Sequence, residues 1–116
     1  MDEKEIIKKM YQLIVEDNGN VYKDLFSKTN FNDVKDSYWK EALTFYTELS
    51  NQKRDIFFRV IAQVQVDTVS NLLALLDGTI TIEDGIEFDV SIKDTGKMIN
   101  GELQGLFLEF DEENRS

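Results

Sequence analysis

The chain has 116 residues, 41% of them apolar and 11% aromatic, and a net charge of −10. That length fits one domain with one core, so the expected organisation is a single domain over residues 1–116. With no cysteine and no histidine, disulfides, thiolate nucleophiles, Ser-His or Cys-His pairs and ordinary zinc or haem ligand sets are excluded, so any catalysis would need carboxylates, lysine, tyrosine or carboxylate-bound magnesium.

Asp2 followed by Glu5 reads as a helix cap with a reciprocal carboxylate, and Ile6, Ile7, Met10, Leu13 and Ile14 recur at helical spacing. The pattern predicts a first helix near 3–17, stopped by Asn18-Gly19-Asn20. Residues 21–26 suit a short helical turn, with extended structure as the alternative. A second helix is predicted over 33–50, with Asn32 as its cap and Val34, Tyr38, Ala42, Phe45, Tyr46 and Leu49 on one face. A third runs from about Gln52 to Leu76 and stops at Asp77-Gly78. Its apolar residues occupy most of its circumference, which predicts a helix covered on several sides.

After Gly78 the period changes from 3.6 to 2. Thr79–Ile82 and Ile86–Ile92 alternate around Asp84-Gly85, which predicts a β-hairpin with one apolar and one acidic face. Residues 101–110 suit either a strand or a short helix, and a helix over 101–108 is preferred. The tail 111–116 should fray. The expected fold class is therefore α+β: three helices, a hairpin and a short C-terminal element.

Charge is unevenly placed. Residues 1–59 carry 10 Lys/Arg against 11 Asp/Glu, whereas residues 60–116 carry 3 against 12. Such a field repels phosphate backbones and anionic membranes and draws cationic surfaces. Nucleic acid is thus excluded as a partner, and a cationic protein is favoured. No apolar run approaches the ~20 residues of a membrane span, and the acidic first residues do not form a signal peptide, so a cytoplasmic location is expected.

Two sets of residues are candidate sites. Arg59, Gln63, Asp67 and Asn71 form a polar stripe on the third helix, either the wall of a ligand pocket or a surface that bonds to neighbouring backbone. Glu83, Asp84, Glu87 and Asp89 cluster on the predicted hairpin. They lack the oxygen spacing of a calcium loop, and no Gly-rich phosphate loop is present, so no cofactor or metal is assigned.

The stretch Gln63–Gly78, ending Leu-Leu-Asp-Gly, and the closing Leu-Gln-Gly-Leu-Phe-Leu-Glu109 resemble a group of small uncharacterised bacterial proteins over roughly the second half of the chain. That resemblance implies a fold and no activity. In size and acidity the chain is also similar to immunity proteins, without a residue-level match. The leading expectation is a non-enzymatic protein-binding module of immunity or inhibitor type that meets a cationic partner through Glu83, Asp84, Glu87 and Asp89. The alternatives are a small-ligand binder or carboxylate enzyme using the stripe, and a self-associating protein that forms a homodimer.

Overall fold

The computed structural model describes residues 1–115. Asp2 accepts a hydrogen bond from the Glu5 amide at 2.8 Å and opens α1 (Glu3–Tyr11). The helix does not stop at Asn18-Gly19-Asn20. It widens into a π-helical segment, Gln12–Asp17, and continues as α2 (Asn18–Lys28), which also absorbs the expected short turn at 21–26. The spacing of Ile7, Tyr11 and Val15 explains this. Steps of four drift around a 3.6-residue turn, and a wider π turn cancels the drift, so that Tyr11 and Val15 both stay buried.

The second predicted helix is shorter than its pattern. Phe31–Asp33 form a 3₁₀ turn, and α3 (Ser37–Thr47) starts after Asp36, which accepts from the Tyr38 and Trp39 amides. Asn32 is therefore not the cap. Next comes α4 (Asn51–Asp77), opened by Ser50 and closed by Gly78 at φ 80°. Its bounds differ by one residue at either end from those expected. Its burial differs more, because Ile56, Val60, Val64 and Leu72 face solvent.

No hairpin and no strand occur among the described residues. Ser91 and Met98 make an isolated antiparallel bridge, and residues 79–102 are otherwise turns and irregular backbone. The turn at Asp84-Gly85 does form, with the Ile86 amide bonded to the Glu83 carbonyl at 3.1 Å, but its arms do not pair. A two-stranded ribbon needs a covered face, and Ile80, Ile82, Ile86 and Phe88 are all exposed. The fold is therefore helical, not α+β.

The closing element is a helix, α5 (Leu103–Arg115), and not a strand. The predicted fraying of 111–116 fails over the described part of that tail, because Asp111 is buried and accepts a hydrogen bond from the Tyr11 hydroxyl at 2.6 Å; Ser116 lies outside the described residues. The polar contacts fix the directions. Asp2 and Glu3 at the start of α1 lie beside Glu102, and Tyr11 at its end bonds to Asp111, so α1 and α5 run parallel. Bonds from Gln104 to Ser70 and from Arg115 to Gln63 set α5 antiparallel to α4.

Two apolar clusters share α4. One joins Ile7, Tyr11 and Val15 to Val66, Leu73, Leu103 and Phe107, with Phe107 fully buried. The other joins Phe26, Leu43 and Tyr46, with Trp39, Phe57 and Phe58 against them. At about 1.5 Å per residue α4 is ~40 Å long, and the molecule measures 49 × 32 × 26 Å. Its radius of gyration of 17.9 Å exceeds the ~13 Å of a compact chain this long.

Candidate interaction surface

Residues 79–89 project from the C-terminal end of α4, and both of their ends are fastened. At the first end, the amides of Thr79 and Ile80 both donate to the Ala74 carbonyl, at 3.0 and 3.3 Å, as the left-handed Gly78 turns the chain out of the helix. At the second end, Asn100 is the clamp. Its Nδ2 donates to the carbonyls of Leu76 at 2.8 Å and Phe88 at 2.7 Å, and its Oδ1 accepts from the Val90 amide at 3.1 Å. One side chain thus supplies the backbone partners that a second strand would have given.

Asp77 completes the anchor. Its carboxylate accepts from the amides of Gly101 (2.7 Å), Leu103 (3.1 Å) and Gln104 (2.8 Å), and so caps the first turn of α5. A carboxylate at the C-terminal end of its own helix meets an unfavourable dipole, and here the amino end of α5 offsets it. Val90 and Ile92 then pack on the core from the same segment.

Between these anchors the chain carries all four predicted acidic residues. Glu83, Asp84, Glu87 and Asp89 are exposed and interleaved with Ile80, Ile82, Ile86 and Phe88. They are not separated onto opposite faces of a hairpin. None of the four makes an ion pair with a described residue. Among the described residues no group of three or more carboxylates is placed to hold a metal, and no helix is long and apolar enough to cross a membrane.

The polar stripe of α4 divides. Gln63 and Asp67 bond to each other at 2.9 Å, and Gln63 also accepts from Arg115 at 2.6 Å, which links the stripe to the buried Tyr11–Asp111 pair. Asn71 is exposed on the same side. Arg59 stands apart, on a cavity of about 540 Å³ where the π segment and α2 face the first half of α4. Apolar walls come from Tyr11, Val15, Phe58 and Ile61, and Asn114 of α5 also lines it.

Sequence reasoning missed this cavity because its walls come from three separate stretches of chain. Glu16, Lys23 and Asp55 line it together with Arg59, and none of the four is ion-paired among the described residues. Gln65 lines it too. Both polar atoms of its amide are enclosed and lack a hydrogen-bond partner, an arrangement that typically costs about 1–3 kcal/mol.

Burial raises the Tyr11 phenol above its ordinary pKa, and its bond to Asp111 raises it further. At Glu3 a backbone hydrogen bond holds the carboxyl below its usual range, helped by Lys97 at 3.4 Å.

No family model, no curated protein and no solved structure matches the chain. The immunity and inhibitor analogy therefore has no relative to carry it, and function is read from the surface itself.

Proposed function

We propose that this protein is a non-enzymatic protein-binding module whose segment 79–89 docks on a cationic face of its partner. One observation carries the reading: four large apolar side chains and four unpaired carboxylates alternate along an exposed segment that is anchored at both ends. Exposed apolar groups gathered in one patch mark interaction sites in soluble proteins. Carboxylates around them raise the encounter rate with a cationic surface and fix orientation, while the apolar groups supply contact area. Anchoring lowers the entropy lost on docking.

The test uses a partner retained on the immobilised protein from the source cell, with association measured against ionic strength. Reversal of Glu87 and Asp89 to Lys should slow association by about tenfold or more at low salt and much less at high salt. Ile82→Ser should mainly speed dissociation. Neither change should move the thermal midpoint, because both sites are exposed. Equal rates and equal salt slopes for wild type and the charge-reversed variant would exclude the segment as the docking surface.

A further inference from the structure

Several departures from ordinary helix chemistry meet at the cavity beside α2. The π turn Gln12–Asp17 carries Glu16, and a glycine with no positive φ, Gly19, sits inside helical structure. The Gln65 amide is enclosed without a partner. Glu16, Lys23, Asp55 and Arg59 line the same space, two of each sign, without forming ion pairs. Nothing in the packing requires the glycine, since a Cβ there would meet Gln65 Oε1 at an ordinary 3.7 Å. Such local costs persist where a site needs them, and π turns recur at functional sites.

We propose that this cavity binds a small zwitterion of amino-acid or dipeptide size, with its carboxylate directed to Lys23 and Arg59 and its ammonium group to Glu16 and Asp55. Charges of both signs that do not neutralise one another are complementary to a guest carrying both signs. An anion alone would meet two carboxylates, and a cation alone would meet two cationic side chains. The volume of about 540 Å³ falls within the range of small-molecule pockets and exceeds the need of a single ion. Asn114 adds an amide group suited to a peptide bond. This site shares no residue with segment 79–89, so either proposal can fail alone.

The test is a titration of the full chain with glycylglycine, followed by amide NMR. Saturable shifts are expected at Gly19, Phe58 and Gln65. N-acetylglycine, which lacks the ammonium group, and glycinamide, which lacks the carboxylate, should each bind about tenfold or more weakly. Arg59→Met and Asp55→Asn should reproduce those two losses for glycylglycine itself while leaving the thermal midpoint in place, because both side chains belong to exposed residues. Absence of saturable shifts up to tens of millimolar glycylglycine would overturn the proposal. So would an affinity for either half-ligand equal to that for glycylglycine, or tighter binding of inorganic phosphate than of the zwitterion.

Discussion

The two ends of α4 are held by different physics. Towards Asp77 the contacts are directional: the carboxylate caps α5, and Asn100 clamps three backbone groups. Towards Asn51 the contacts are rings. Phe26 lies 5.1 to 6.2 Å from the rings of Trp39, Tyr46, Phe57 and Phe58, and the main polar tie is Arg54, which stacks on Tyr46 and donates to the Tyr46 and Thr47 carbonyls. Bonds at fixed angles define one arrangement, whereas a ring cluster tolerates several of similar energy. The Asp77 end should therefore set the global stability and the ring end should open first.

The sharpest way to break that comparison is to empty each core in turn. Phe107→Ala removes a fully buried ring and should lose about 3–5 kcal/mol, much of the stability of a chain this size. Phe26→Ala should instead release α2 and α3 while α1, α5 and the second half of α4 keep slow amide exchange. Hydrogen exchange distinguishes the two outcomes, and loss of protection everywhere in both variants would show a single cooperative core.

The caps offer a finer comparison. Asp77→Ala removes three hydrogen bonds and should destabilise by about 2 kcal/mol in urea titration, the upper end for a helix cap. Ser50→Ala removes one bond, at 3.2 Å, from the ring end and should lose about 0.5–1 kcal/mol. Equal losses would mean that the directional end is not the stronger one.

Tyr11→Phe tests a contribution that falls between those two caps. It should destabilise by about 1.5 kcal/mol at neutral pH, since Asp111 keeps its bond from Arg115. The phenol has a raised folded-state pKa, so its stabilising contribution is complete below the unfolded value. It disappears as pH rises through the folded one. Thermal midpoints of wild type should therefore fall more steeply than those of Tyr11→Phe as pH rises above about 10.

How much of this was legible depended on whether a signal was local. The bounds of α4 follow from Ser50, a long apolar period and Asp77-Gly78, all within the helix or beside it. The π turn was hidden because Asn18-Gly19-Asn20 carries stop chemistry that the burial of Tyr11 and Val15 overrides. Alternation over 79–92 resembled a hairpin, but neither face finds a cover, and Asn100 supplies the bonds from a distance. The candidate acidic residues were readable as a cluster, although their mixing with apolar groups was not. An acidic run predicts a frayed tail, whereas the bond that holds Asp111 comes from Tyr11, 100 residues earlier.

That pairing of the first helix with the last has a consequence for synthesis. Chains emerge amino end first, so α2, α3 and the start of α4 can gather their rings while the rest is still being made. Ile7, Tyr11 and Val15 must wait, because Leu103 and Phe107 that cover them arrive late. A product cut short before Leu103 would present a bare apolar stripe on α1 and another around Val66 and Leu73, and would be recognisable to chaperones and proteases as unfinished.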